Sequence, residues 1–207
     1  MREFIMPSAS EISGGARCSA ISRETNETKI ELAINLDEQG ENKINTGVGF
    51  FDHMLNLLAF RAGIILNVKC RGDLHIDDHH TVEDIGIAFG KAFVDALGDK
   101  KGIVRYGNAA IPMDEALSQC ALDISGRGFL VFNASIPAAM CGSFSTEMTE
   151  EFFRAFAHQA GITLHINVPY GKNSHHIIEA MFKSVGAALA QAIKIEGTAV
   201  PSTKGLL

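Results

Sequence analysis

The chain has 207 residues, 46% hydrophobic and 20% charged, with a formal net charge of −6 and a pI near 5.7. These are the proportions of a globular protein with a substantial core, and the acidic balance argues against a nucleic-acid partner, whose phosphates recruit basic surfaces. No apolar run reaches the roughly 18–20 residues that cross a bilayer, and the opening MREFIMPSASEISGG lacks the apolar stretch of a signal peptide, so a soluble cytoplasmic protein without a membrane partner is expected.

In chain order, residues 29–36 alternate as a strand does. Gly47-Val48-Gly49 breaks the chain before a helix over 51–60, where Met54, Leu55, Leu58 and Ala59 share a face. Residues 64–69 read as a strand and Leu74-His75-Ile76 as a short one. Residues 81–96 are helical, with Val82, Ile85, Ala88, Phe89, Ala92 and Phe93 recurring at three and four, and Leu97-Gly98 ends the helix. Further on, 121–125 and 130–134 read as strands around Gly126-Arg127-Gly128, 147–160 as a helix, 162–168 as a strand, and 176–193 as a long helix. The four cysteines (Cys18, Cys70, Cys120, Cys141) have no CxxC spacing, which predicts free thiols rather than a disulfide framework.

The two halves can be laid on each other. His79-His80-Thr81-Val82-Glu83 returns as His175-His176-Ile177-Ile178-Glu179, and Leu74-His75-Ile76 is matched to Leu164-His165-Ile166. Phe50-Phe51-Asp52-His53 and Glu150-Glu151-Phe152-Phe153 precede the two motifs at similar distances. The shared order predicts an internal duplication, with two α+β units about a pseudo-twofold, sheets outside and helices between. It makes one compact domain of two repeats, approximately 10–100 and 101–195.

Imidazole and carboxylate together are a transition-metal ligand set. On a helix, residues three and four apart share a face while neighbours diverge by about 100°. Glu83 can therefore chelate with one of its two histidines, and the other points elsewhere; the same holds for Glu179. Two sites, each built from helices of different repeats or subunits, satisfy this geometry. His53 and Glu151, at matching positions, are the expected third contributors. Imidazole and carboxylate without thiolate favour manganese or iron(II) over a closed zinc site. His75 and His165 read as core or strand-surface residues and His158 as a helix-surface residue. A di-iron carboxylate bundle usually places Glu before His in its helical motif, and HExxH is absent.

Several cations sit beside glycines or hydroxyls, the pattern that binds a phosphate monoester. They are Arg105 in Gly102-Ile103-Val104-Arg105-Tyr106-Gly107, Arg127 in Ser125-Gly126-Arg127-Gly128, and Lys204 in Pro201-Ser202-Thr203-Lys204-Gly205. No Walker loop or GxGxxG is present, which argues against a nucleotide cofactor.

These residues together resemble the imidazoleglycerol-phosphate dehydratase family. The matching segments are Thr46-Gly47-Val48-Gly49-Phe50-Phe51-Asp52-His53-Met54-Leu55, the stretch from Gly72-Asp73 through His79-His80-Thr81-Val82-Glu83-Asp84, Ile111-Pro112-Met113-Asp114-Glu115, Asp123-Ile124-Ser125-Gly126-Arg127, Asn173-Ser174-His175-His176-Ile177-Ile178-Glu179-Ala180, and Pro201-Ser202-Thr203-Lys204-Gly205. The resemblance implies a duplicated α+β fold of the ribosomal protein S5 domain 2-like kind, two mixed sheets sandwiching a central helical layer. It implies a homo-oligomer of 24 subunits with two Mn²⁺ per subunit at subunit contacts, and a substrate-contacting tail over 196–207. The implied reaction dehydrates D-erythro-imidazole glycerol phosphate to imidazole acetol phosphate in histidine biosynthesis. The implied metal ligands are His53, His79, His80, Glu83, His175, His176 and Glu179, with Glu151 standing where many members have a ligand His. Glu27 matches the acid/base glutamate, which also contacts substrate, and Arg105, Arg127, Lys183, Ser202, Thr203 and Lys204 match substrate contacts. Arg61 stands where the family pattern leads one to expect His.

The implied chemistry is demanding, because the proton lost lies on a carbon with no carbonyl beside it. A metal bound at a ring nitrogen would ease loss of the ring N–H proton, and the imidazolate so formed would be electron-rich enough to expel the adjacent hydroxyl, with Glu27 shuttling protons. The competing expectations are another binuclear metal-dependent phosphoester enzyme and a metal-storage or scaffold shell protein.

Overall fold

The computed structural model describes residues 17–207; the start of the first predicted repeat, 10–16, lies outside them. The elements are β1 (Cys18–Glu24), β2 (Thr28–Asn35), β3 (Lys43–Asn45), α1 (Gly49–Ala62), β4 (Ile65–Gly72) and α2 (His79–Leu97), then β5 (Tyr106–Met113), β6 (Ala116–Asp123), β7 (Phe129–Asn133), a small ribbon β8 (Met140–Cys141) and β9 (Phe144–Ser145), α3 (Met148–Ala160), β10 (Thr163–Tyr170) and α4 (Ser174–Ala192). Apart from the ribbon, the order β-β-β-α-β-α occurs twice.

The sheets repeat it too. The first runs β1-β2-β4-β3 and the second β5-β6-β10-β7, each with two antiparallel pairings and a parallel pairing to a late-joining edge strand. Each sheet is apolar on one face, as alternation along a strand requires. Ile30, Leu32 and Ile34 of β2 and Leu66 and Val68 of β4 are buried, as are Cys120 and Leu122 of β6 and Leu164 and Ile166 of β10. The four helices fill the space between these faces. The α2 helix lies on β1 and β2, α4 on β5 and β6, and the helices pair across the repeats, α1 with α4 and α2 with α3. Phe51, Phe144, Phe152, Phe156 and Phe182 interlock within the layer, with Phe51 edge-on to Phe152 at 5.2 Å between centroids and Phe152 stacked on Phe182 at 5.4 Å.

The cross-repeat pairs are close because each has a glycine at the crossing. A Cβ on Gly186 of α4 would lie 2.5 Å from the Leu58 carbonyl oxygen of α1, and one on Gly90 of α2 would lie 2.8 Å from that of Phe156 of α3. Gly63 and Gly161 end α1 and α3 in the left-handed conformation, each donating its N–H back into the last turn. Counting back from these two caps sets His53 opposite Glu151.

Three expectations need correction. Leu74-His75-Ile76 is a turn, not a strand, tied by the Ile76 N–H to the Asp73 carbonyl. Its match to Leu164-His165-Ile166 therefore fails; the counterpart of that β10 segment is Leu66-Asn67-Val68 of β4. Strands β1, β3 and β5 were not predicted: β1 and β5 are edge strands with polar or breaker residues, including Pro112 at the end of β5, which an edge tolerates. The helices also begin earlier than their apolar stripes, at His79 and Ser174, because polar residues open them. None of the four cysteines is in a disulfide, in line with their spacing, and burial pushes Cys70 and Cys120 up to about 12.

Candidate metal centre

The start of each helix that carries a His-His pair is fixed by a side chain that meets its orphan N–H groups. Asn173 caps α4 and accepts from His175 N at 2.9 Å and His176 N at 3.4 Å. Asp77 accepts from His79 N at 2.9 Å. The first turn of α1 is held by Asp52, which accepts from the N–H and hydroxyl of Thr46 at 2.8 and 2.5 Å.

With the helices fixed, α1 and α4 bring His53, His175 and Glu179 together. Their ligand atoms all lie within 4.8 Å of one another. Glu179 Oε2 is 3.0 Å from His175 Nε2 and 3.6 Å from His53 Nε2. The other oxygen accepts from Lys183 Nζ at 2.5 Å. Burial pushes the Glu179 carboxyl up, but Lys183 and His175 outweigh it and hold the group below the usual carboxylate range. Phe50 packs edge-on against the His175 ring at 5.1 Å. Two exposed imidazoles and a buried carboxylate converging on one point make a donor set that fits a divalent metal.

The pseudo-symmetric counterparts of this trio are His79 and Glu83 on α2 and Glu151 on α3. His79 Nε2 and Glu83 Oε2 are 3.6 Å apart across one helical turn. Glu83 and Glu151 line a common cavity of about 250 Å³ with Arg154 and His158. Glu151 lies 3.6 Å from Arg154 Nε, so the cation of this group pairs with the third member rather than, as Lys183 does, with the helix glutamate.

The second histidine of each motif diverges from the first. His80 Nδ1 meets both Asp73 oxygens at 3.2 and 3.0 Å, and its Nε2 lies 3.7 Å from Glu27 Oε1. His176 Nδ1 meets Glu115 Oε2 at 2.7 Å, and its Nε2 lies 3.6 Å from Asp114 Oδ2. The carboxylate partners raise both histidines above their ordinary value, mainly through these hydrogen bonds. Glu115 is held down to about 2, first by His176 and then by backbone N–H groups, those of Asn173 and Lys172 among them. Asp73, Asp114 and Glu115 were not singled out from the sequence as partners of these histidines; the usable signal was that Glu27 and Glu115 each sit immediately before the second strand of a sheet.

The predicted anion contacts divide. Arg105, with a left-handed φ of 77°, binds Asp123 through Nε at 2.6 Å and Nη2 at 3.0 Å, and donates to the Pro201 carbonyl at 2.9 Å. The tail then runs on until Leu207 reaches Gly126, where a Cβ would come within 3.0 Å of it. Arg105, the exposed Arg127 and the tail with Ser202, Thr203 and Lys204 thus share one neighbourhood, and the Lys204 N–H donates to Ser202 Oγ at 3.2 Å. Lys183 lies apart from these, paired with Glu179 beside the metal trio. His75, His158 and His165 are all exposed, in a turn, on a helix and on a strand. Arg61 is exposed in the last turn of α1.

The chain is similar to known proteins over most of its length. The sequence profile of imidazoleglycerol-phosphate dehydratase matches residues 46–189. The chain is 57% identical to the imidazoleglycerol-phosphate dehydratase of Clostridium botulinum (strain Alaska E43 / Type E3) over 92% of its length and 98% of that protein's. It is 55% identical to that of Roseobacter denitrificans, covering 92% of this chain and all of the relative. Among solved structures, the Staphylococcus aureus enzyme superposes with a TM-score of 0.80 at 44% identity, covering 86% of this chain and 99% of that one. The Pyrococcus furiosus enzyme, crystallised in complex with (S)-C348, superposes with a TM-score of 0.80 at 38% identity, covering 90% and 100%. A chain with this duplicated fold, this histidine–carboxylate centre and these relatives belongs to the imidazoleglycerol-phosphate dehydratase family of hydro-lyases.

Proposed function

We propose that the chain is a Mn²⁺-dependent dehydratase that converts D-erythro-imidazole glycerol phosphate to imidazole acetol phosphate and water in the histidine pathway of the cytoplasm. The observation that carries the metal reading is the convergence of His53, His175 and Glu179 from two repeats. By the pseudo-twofold, His79, Glu83 and Glu151 form the second position. The outward Nε2 atoms of His80 and His176 are then left to complete positions on neighbouring copies, which ties activity to a homo-oligomer of the 24-subunit kind.

Bound Mn²⁺ would supply Lewis-acid polarisation at the substrate's ring nitrogens. The rest falls to the protein. Arg105, Arg127, Ser202, Thr203 and Lys204 hold the phosphate and so fix the ring's position. Lys183 keeps the Glu179 carboxylate ionised and aimed. Glu27 lines a cavity of about 330 Å³ with Asp73 and His75, where its carboxylate takes the proton from carbon and returns one to the departing hydroxyl.

The test is a dehydratase assay on imidazole glycerol phosphate with and without Mn²⁺, beside a native mass measurement. Ketone formation that stops on chelation is the expected result. Full turnover in an exhaustively chelated sample overturns the metal reading, and release of inorganic phosphate points to a phosphoester hydrolase instead. Glu27→Gln should keep KM while kcat falls by about 10²- to 10⁴-fold; an unchanged kcat removes Glu27 from the acid/base role.

A further inference from the structure

The duplicated halves are alike in backbone but unlike in how they hold the second histidine of each motif. In the second half the turn glutamate, Glu115, does this. One oxygen meets His176 Nδ1 at 2.7 Å, and the other accepts the N–H groups of Asn173 and Lys172 at 2.7 and 3.1 Å. Both oxygens are committed. Glu27 occupies the same place in the first half, immediately before β2 as Glu115 is immediately before β6. Yet its carboxylate is half exposed and its nearest ionic partner is His80 Nε2 at 3.7 Å.

Asp73 accounts for the difference. It follows the last residue of β4 and takes His80 Nδ1 in place of Glu27. The matching residue after β10 is Gly171, and it cannot bear a carboxylate, because a Cβ there would lie 2.5 Å from Ile177 Cγ1. The β4–α2 connection is also longer, six residues against three between β10 and α4, which gives Asp73 room. The Glu27 turn is pinned without its side chain: the Asp73 N–H donates to the Glu27 carbonyl at 3.1 Å. Behind it, buried Asp84 accepts from the Thr28 hydroxyl at 2.5 Å and from Arg23 at 2.6 and 3.1 Å. The residue matching Asp84 in the second half is Ala180, fully buried.

We infer that Asp73 is the positioning residue of His80, that Glu115 performs this duty for His176, and that the exchange of partner in the first half is what leaves the Glu27 carboxylate free for substrate. The inference rests on the proposal above that His80 and His176 bind metal. A carboxylate on Nδ1 sets the tautomer, so that Nε2 presents its lone pair outward, and raises its basicity.

The test is Mn²⁺ retention by the assembled protein against graded EDTA, with bound metal quantified, for Asp73→Asn, Asp73→Glu, Glu115→Gln, Glu27→Gln and His80→Ala, each first checked for its Tm. Loss of an outer-shell partner typically weakens metal binding about 10- to 100-fold, and that is expected for Asp73→Asn and Glu115→Gln, with part of it restored in Asp73→Glu. Glu27→Gln should retain metal like the parent while losing kcat. Parental retention in Asp73→Asn, with His80→Ala impaired, overturns the inference alone. Metal loss in Glu27→Gln equal to that in Glu115→Gln overturns the division of duties. Parental retention in His80→Ala overturns the ligand reading and this inference with it.

Discussion

A carboxylate taken out of water needs a cation or a metal beside it. Glu179 is 6% exposed and has Lys183 one helical turn away. Removing one partner of such a pair costs about 3–5 kcal/mol. Lys183→Met should therefore destabilise the metal-free protein by about that amount, and much less once Mn²⁺ is added, because the ion replaces the lost charge. Thermal melts with and without metal check this, and equal losses in both states would show that the ion does not take over the role of the Lys183 charge. At this scale the sequence was informative where a helix sets the geometry. His175–Glu179 and His79–Glu83 meet because four residues make about one turn, and the diverging second histidines follow from the same pitch. It was silent on Asp73 and Glu115, which come from strand ends rather than from the histidines' own helices, Glu115 from 61 residues away.

Between elements, the helix crossings decide whether the ligands meet. Gly186 lets α4 approach α1, and Gly90 lets α2 approach α3. A methyl at either place must push the helices apart, since the neighbour is a backbone carbonyl. Overpacking of this sort costs about 1–3 kcal/mol. Gly186→Ala should lose that much stability and also weaken Mn²⁺ binding, since His53 rides on α1 and its partners on α4. Urea denaturation beside a metal titration separates the two effects; an unchanged metal affinity would mean that the crossing does not set the trio. The long helices and the central strands β2, β4 and β10 were legible because their apolar residues have a clear period, whereas the strand expected at 121–125 caught only the end of β6. Leu74-His75-Ile76 imitated that period over too short a span, after the turn signal Gly72-Asp73. The edge strands β1 and β5 hid because one side of each is unpaired within its sheet and their composition is under weaker constraint.

For the whole molecule, the doubled motif predicted a doubled scaffold, and the repeated strand orders have that form. The sequence left open whether the partner helices come from the other repeat or another subunit; within the chain they pack across the repeats, α1 against α4 and α2 against α3. Each proposed ligand trio therefore draws on both halves: His53 from one and His175 with Glu179 from the other. A metal held this way is a reversible cross-link between the halves. A ligand that binds the folded state alone adds about 2.7 kcal/mol at a hundred times its dissociation constant. For a chain of this size that corresponds to roughly 5–10 °C in Tm, which a scan before and after chelation will reveal if the ion clamps the fold. Linkage then runs in the opposite direction as well. A core substitution that loosens the seam between the halves, however far from the histidines, will appear in solution as a weaker affinity for metal.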